Sequence, residues 1–160
     1  WNVTDPTLAL YDCEDDDFRS LAPMGGPGFD DDGNLIAEGD SFVIHTTQLV
    51  YNEGMNGEVI QLSGAIIAEL ADHPGFVGLA LASSNKCRYA RTLGIWESEE
   101  AMYAMVTGAA HAEAMARTTE LSATGKVTHW QASRADVEAL DWDVARAQLA
   151  ATAPSLVYQQ

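Results

Sequence analysis

Four short runs of the chain are rich in aliphatic, β-branched or aromatic residues, and they predict four β-strands. The runs are residues 42–51, 77–82, 89–96 and 126–132. In the first run Phe42 and Ile44 point to one face and His45 and Thr47 to the other, because successive side chains of a strand face opposite sides. This strand therefore has two usable faces.

Between and after these runs, apolar residues recur every three or four positions, which predicts helices. One helix is predicted over residues 58–71, a second from about Glu99, and a third over residues 136–150. Ser98 can cap the second helix, and Ser133 or Asp136 the third, because short polar side chains accept hydrogen bonds from the first free N–H groups of a helix. The order β-α-β-β-α-β predicts an α+β fold, a ferredoxin-like antiparallel sheet with helices on one face.

A sheet with helices on one face leaves the other face apolar and in need of cover. Val43, Leu49, Ala80 and Trp96, or their neighbours, cannot all remain in water. Two such sheets can close against each other, so we predict a homodimer or a higher homo-oligomer. The alternative is that the N-terminal segment or the third helix covers the sheet within one chain.

Three short motifs resemble a known family. They are HPGFVGL at residues 73–79, WESEEA at residues 96–101 and HAEAM at residues 111–115. Together they resemble the antibiotic-biosynthesis-monooxygenase-like (ABM-like) domains of the dimeric α+β barrel superfamily, over about residues 41–133. That family includes cofactor-independent oxygenases, haem-degrading enzymes and members with no known reaction. The motifs therefore specify the fold better than they specify any one reaction.

The composition divides the chain into three segments: an acidic arm over residues 1–40, the ABM-like domain over residues 41–133, and a helix with a tail over residues 134–160. The arm carries eleven acidic residues and one basic residue, Arg19. Its run Asp30-Asp31-Asp32 suggests calcium, but the spacing around Gly33 fails at both ends of an EF-hand loop. A hairpin turn at Asp32-Gly33-Asn34 is the favoured interpretation.

The bulk composition excludes some classes of function. A chain of 160 residues with 47% hydrophobic residues is long enough for one domain with a core. Its formal charge of −16 repels phosphate backbones and anionic lipids, so we expect no nucleic-acid partner. It has no apolar run of membrane-spanning length, so we expect no membrane insertion.

Several features of the sequence favour a secreted or lumenal protein, with a cytoplasmic protein as the alternative. The chain begins with Trp1, which we interpret as processing or as a piece of a longer protein. Asn2 begins a glycosylation sequon, Asn2-Val3-Thr4. Cys13 and Cys87 are an even pair that can form a disulfide between the arm and the domain, although two free thiols are the other interpretation.

The candidate chemistry lies in the expected pocket. His111, on the second helix, is the candidate catalytic residue, because an imidazole in an apolar pocket can accept a proton; a hydrogen-bonded histidine at a dimer seam is the alternative. His73 is expected to be a turn residue, and one of His129 and Trp130 should face the pocket. The candidate substrate-binding residues are His45, Thr47, Trp96, Met105, Met115 and Trp130.

Haem degradation is disfavoured. The haem-degrading branch of the family uses an Asn on the first strand and a Trp and a His on the second helix, and alignment on Trp96 finds Thr47, Met105 and Met115 instead. We therefore expect no cofactor and no metal, with His111 or Met115 left open as a ligand to haem or metal in another geometry. The chain has no glycine-rich phosphate loop, no G-x-S-x-G, no C-x-x-C and no H-E-x-x-H.

Two functions of different class follow. The first is an ABM-like domain that binds a small apolar or aromatic molecule, in its enzymatic form a cofactor-independent monooxygenase with His111 as proton acceptor. The second is a non-catalytic structural or interaction module that self-associates or docks in a larger extracellular assembly. A pocket with room for a ligand favours the first function, and a pocket plugged by Met102, Met105, Met115 and Trp96 favours the second.

Overall fold

A five-stranded antiparallel sheet organises residues 6–155, the part of the chain that the computed structural model describes. The strands are β1 (Arg19–Gly25), β2 (Ser41–Tyr51), β3 (Phe76–Ser84), β4 (Tyr89–Trp96) and β5 (Ser122–Ser133). Their order in the sheet is β1-β3-β4-β2-β5, so the long strand β2 lies between β4 and β5. All four predicted strands are present, and the sequon at Asn2 lies outside the described residues.

Six helices and one 3-10 turn complete the described part of the chain. They are the turn Pro6–Asp12 and the helices α1 (Asn56–Leu70), α2 (Glu99–Val106), α3 (Ala109–Ala116), α4 (Thr118–Leu121), α5 (Arg134–Glu138) and α6 (Trp142–Ala150). Within residues 6–155, no helix has the length and apolar character needed to cross a membrane. The predicted β-α-β-β-α-β order is confirmed, with further pieces at both ends.

The predicted second helix begins at Glu99 with Ser98 as its cap, since the Ser98 side chain accepts a hydrogen bond from the Ala101 N–H. It does not run through to Leu121 as one helix. At Gly108 the backbone is extended (φ −66°, ψ 157°), and Gly108 becomes the N-cap of α3. Glycine is a poor helix former, about 1 kcal/mol less favourable than alanine inside a helix, so the break falls there.

The predicted third helix is also two helices. Ser133 and Asp136 form a reciprocal capping box at the start of α5, so both predicted cap residues are used. The Asp141 side chain then accepts a hydrogen bond from the Val144 N–H and starts α6. The two short helices can therefore turn against the sheet where one straight helix would leave it.

Helices α1 and α2 pack on one face of the sheet. This face carries Val43 and Trp96, which form an apolar cluster with Leu70, Met102 and Met105. Val43, Trp96 and Met102 are at most 1% exposed. The helices thus cover the face on which the odd-numbered residues of β2 lie.

The arm and the C-terminal helices cover the opposite face. Phe42 and Ile44 of β2 and Ile95 of β4 lie there, all at most 1% exposed. The residues of the two end segments that belong to this cluster or pack against it are Met24, Phe29, Leu35, Ala37, Val137, Leu140, Trp142 and Ala145. We call residues 18–40 together with α5 and α6 the cap.

Hydrogen bonds and one covalent bond hold the cap in place. The Arg134 guanidinium donates to the carbonyl oxygens of Ala37 at 2.7 Å, Gly39 at 3.1 Å and Leu35 at 3.1 Å. The arm strand β1 pairs with β3, a pairing that the arm's composition did not predict. Cys13 is bonded to Cys87, which confirms the predicted disulfide.

The acidic arm forms the predicted hairpin turn. Phe29 and Leu35 form a bridge on either side of it, and the Asp30 carboxylate accepts hydrogen bonds from the N–H groups of Asp32 at 3.0 Å and Asn34 at 2.8 Å. This carboxylate therefore stabilises a turn. Across residues 6–155, no group of three or more His, Cys, Asp or Glu side chains is arranged to hold a metal ion.

Because both faces of the sheet are covered within one chain, the reason for predicting a homodimer no longer applies. The dimer was predicted because one sheet face needed cover, and the chain supplies that cover from its own ends, which is the alternative stated above. A dimer closed through this face would first have to displace the cap. The homo-oligomer stays a prediction, without the argument from an uncovered sheet.

The disulfide should contribute much of the stability of the cap. Cys13 and Cys87 are 74 residues apart, and closing a loop of that length removes enough entropy from the unfolded chain to stabilise the fold by about 4 kcal/mol. We expect the double variant Cys13→Ala, Cys87→Ala to lose about that much free energy of unfolding in urea. Reductant should destabilise the wild type similarly and leave the double variant unaffected. Equal stability of the variant and the oxidised wild type would contradict this.

Candidate functional site

A cavity of about 180 Å³ lies between the sheet and helices α1 to α3. Its floor includes His45, Thr47 and Leu49, which alternate along β2 as predicted and face the helices. Its wall on α1 is formed by Val59, Leu62, Ser63, Ile66, Ile67 and Leu70. An apolar cavity of roughly 150 Å³ can stay dry and bind benzene, so this space suits at least one aromatic ring.

The cavity opens toward solvent between α1 and α3. Ile67 on α1 and Met115 on α3 line it and are 36% and 38% exposed, whereas Leu70 and Met105 farther in are 3% and 7% exposed. Large apolar side chains are seldom exposed together without a reason. A ligand longer than the enclosed space would leave the cavity beside Ile67 and Met115.

His45 is the buried polar group of the floor. Its side chain is on the cavity face, the residue is 3% exposed, and Nδ1 accepts a hydrogen bond from the Trp96 indole Nε1–H at 2.8 Å. An indole N–H can only donate, so the proton of the neutral imidazole is on Nε2. Burial, helped by the nearby His111 and His129, lowers the pKa of His45 to about 4, so the ring is neutral at pH 7.

Gly94 makes room for this imidazole. A Cβ atom at Gly94 would lie 2.1 Å from Cε1 and 2.6 Å from Nδ1 of His45, closer than atoms can approach. Gly94 is opposite His45 in the β2–β4 pair, so the ring rests directly on the β4 backbone. A glycine inside a strand is typical of such a close approach.

Two threonines form the second polar feature of the floor. The hydroxyl groups of Thr47 on β2 and Thr92 on β4 are 2.5 Å apart and share a hydrogen bond. Both residues line the cavity. One hydroxyl must donate to the other, so the pair satisfies part of its own hydrogen-bonding capacity.

His111 lines the cavity from α3, as predicted. Burial lowers its pKa, and a hydrogen bond with the Val106 backbone works in the opposite direction. His111 is thus a neutral imidazole at neutral pH that also spans the break between α2 and α3. This position suits His111 both as a proton acceptor and as a residue that connects α3 to α2.

The structure brings most of the predicted site residues together. His45, Thr47, Met105, His111 and Met115 all line the cavity. Trp96 does not line the cavity. Its side chain is buried with Met102 in the apolar cluster under α1 and α2, and from there it donates the hydrogen bond to His45.

The prediction for Trp130 is wrong in geometry. Trp130 is opposite Ile44 in the β2–β5 pair and packs with the cluster under the cap, on the far side of the sheet from the cavity. His129 is on the cavity side of the sheet, yet it contacts Tyr103 and Glu99 at the edge and is outside the cavity lining. His73 lies in its predicted turn, with Nδ1 3.0 Å from the Pro74 carbonyl oxygen.

Gly94, Thr92 and the α1 wall were not predicted as parts of the site. For Gly94 a signal existed, since a lone glycine within an apolar strand indicates close packing against its backbone. The α1 residues were identified only as a helical apolar face, and the same pattern is produced by a solid core. These α1 residues line a cavity only because the structure leaves a gap between α1 and the sheet.

Solved structures, rather than sequences, are what this chain is similar to. No family model matches the chain, and no curated protein matches it in sequence. The solved structure of protein SO0527 from Shewanella oneidensis is similar with a TM-score of 0.55 and 13% identity, over 59% of this chain and 94% of that chain. Protein Rv0793 from Mycobacterium tuberculosis is similar with a TM-score of 0.52 and 16% identity, over 56% of this chain and 92% of that chain.

A third similar structure, from Lactobacillus acidophilus, belongs to a protein provisionally named a monooxygenase. Its TM-score is 0.50 and its identity 12%, over 58% of this chain and 47% of that chain. At such identities the likeness concerns the fold alone. About two-fifths of this chain has no counterpart in the Shewanella structure, a share close to that of the two end segments together.

These likenesses define the class of fold. The chain has an α+β, ferredoxin-like fold with an antiparallel sheet. More particularly, it shares its fold with the Shewanella and Mycobacterium proteins, so the fold implied by the sequence resemblance is confirmed.

The buried neutral His45 should make stability depend on pH. Between pH 6.5 and 4 the unfolded chain binds a proton at this residue that the folded chain does not, so stability falls as the pH falls, by up to about 3 kcal/mol at pH 4. His45→Asn keeps an oxygen that can accept from Trp96 but cannot titrate. We expect the wild type to lose more free energy of unfolding than His45→Asn between pH 7 and 4.5. Parallel losses, or a His45 NMR titration near pH 6.5, would contradict this.

Proposed function

We propose that this chain binds a small, largely apolar molecule in the cavity between its sheet and helices α1 to α3. The observation that carries the proposal is the cavity itself, because it is enclosed mainly by aliphatic side chains and floored by a few fixed polar groups. Such an arrangement lets apolar surface provide affinity while the polar groups orient the ligand.

The interaction module receives less support. That function was predicted for a pocket filled by methionines and Trp96. Met102 and Trp96 instead belong to the buried cluster under α1 and α2. Met105 and Met115 line the cavity without filling it. Flexible methionine side chains suit a site that adapts to its ligand.

A substitution that fills the cavity tests binding. We expect Ile66→Trp, within the lining, to abolish binding of tetralin or indole, measured by calorimetry and by ligand-observed NMR. In the wild type either probe should also raise the melting temperature, since a ligand that binds only the folded state stabilises it.

Ile60→Trp is the matched control, since Ile60 is on the same helix but is 58% exposed and outside the lining. It should leave probe binding unchanged. Equal binding by Ile66→Trp and Ile60→Trp would mean that the probes bind elsewhere.

A cofactor-independent monooxygenase is the enzymatic form of this proposal. His111 favours it, because burial lowers the pKa of this imidazole and keeps it able to accept a proton inside an apolar space. It would remove a proton from an activated CH₂ group of the ligand, and the carbanion would react with O₂. One oxygen atom then remains in the product as a carbonyl and the other leaves as water, so CH₂ and O₂ give C=O and H₂O.

The oxygenase is tested with 2-tetralone, a small bicyclic ketone whose CH₂ group between ring and carbonyl is acidic. We expect the wild type to consume one O₂ per product, and His111→Gln to reduce the rate about 100-fold, the usual contribution of a positioned base. His129→Gln, outside the cavity lining, is the matched control and should retain the rate. Equal oxygen uptake by the wild type and both variants would exclude His111 as the base. Binding of 2-tetralone without oxygen uptake would show that the protein binds the ketone but does not oxidise it.

The compartment and the remaining assignments are part of the same proposal. We propose a secreted or lumenal protein, because disulfides form and persist mainly in oxidising compartments. Glycosylation at Asn2 and the division at residues 40/41 and 133/134 stay predictions. No nucleic-acid partner is proposed, given the formal charge of −16.

A further inference from the structure

His45 is a fixed hydrogen-bond donor rather than a free base. Its Nδ1 is engaged by the Trp96 indole at 2.8 Å. Trp96 is itself 0% exposed and packs against the rings of Phe76, at 5.3 Å, and His73, at 5.5 Å, between centroids. With the donor behind it immobile and Gly94 beneath it, the imidazole has one orientation, and the polar group it can offer a ligand is Nε2–H.

The rest of the lining sets the charge of the ligand. Of the described residues that line the cavity, none is Asp or Glu, so a cation would find no partner. Lys126 is part of the lining, but it is opposite Gln48 in the β2–β5 pair and its ammonium group donates to the Leu149 carbonyl oxygen at 2.9 Å, under the cap. A buried anion would therefore lack a charged partner as well, and burying an unpaired charge is costly.

We propose that the ligand is a neutral, mainly apolar carbonyl compound whose oxygen accepts a hydrogen bond from His45 Nε2–H, with Trp96 as the positioning residue that fixes the donor tautomer. This rests on the proposed binding function and names its ligand class. The threonine pair, His111, Ser63 and Thr118 are other hydrogen-bonding groups of the lining, and the experiment must separate them from His45.

Two probes with the same ring frame isolate the carbonyl. 1-Tetralone carries a carbonyl group and tetralin does not, and both are neutral. A variant that combines His45→Leu with Trp96→Phe removes the donor and the indole N–H together, so no buried donor is left unpaired. His129→Asn is the control, because His129 is opposite His45 in the β2–β5 pair but is outside the lining.

We expect the double variant to bind 1-tetralone about tenfold more weakly and tetralin as well as the wild type does, the effect of one lost hydrogen bond. His129→Asn should not change the ratio of the two affinities. An unchanged ratio in the double variant would overturn the inference, because the carbonyl would then bond to another polar group of the lining or to nothing. Binding of neither probe by the wild type would overturn the binding function as well.

NMR on the wild type gives a second readout that does not depend on a variant folding. Long-range ¹H–¹⁵N spectra should show His45 as the Nε2–H tautomer at pH 7, and 1-tetralone should shift its Nε2 resonance while tetralin leaves it in place. In Trp96→Phe the fixed tautomer should give way to a mixture, which mere loss of packing would not produce. A His45 proton on Nδ1 in the wild type would overturn the proposal.

Discussion

Both faces of the central strands are apolar, and the need to keep water from each face determines the remaining structure. Phe42 and Val43 are adjacent in β2 and point in opposite directions, yet each is 1% exposed. Such burial requires a layer of structure on either side of the sheet. Helices α1 to α3 supply one layer and the cap supplies the other, so the chain is a three-layer molecule whose sheet lies in the middle.

The two layers cover the sheet to different degrees, and the difference creates the site. The cap follows the sheet closely and is held by Arg134, by β1 and by the disulfide. The helix layer departs from the sheet where α1 runs past β2, and the gap there is the cavity. A polar group in such a gap needs support on its far side, and the Trp96 indole gives it to His45.

Local signals predicted the elements well, because strand alternation and helix caps depend on a few neighbouring residues. Ser98, Ser133 and the alternation of β2 are examples. Features set by distant contacts were missed. Alternation alone could not decide between His129 and Trp130, because the cavity face of β5 is fixed by its register with β2. The pairing of β1 with β3 places a segment that contains Pro23 and Gly25 at the edge of the sheet, and these two residues are poor formers of strands.

The path of the disulfide has a consequence for the integrity of the chain. The exposed turn at Asp31 and Asp32 is the kind of loop tip that proteases cut, and it lies between Cys13 and Cys87. A single cut there would separate the backbone into two pieces that remain joined through sulfur. The N-terminal piece would still contribute β1 to the sheet and would still be tied to the end of β3. The molecule could thus persist as a nicked two-chain protein, with its cavity behind an intact sheet.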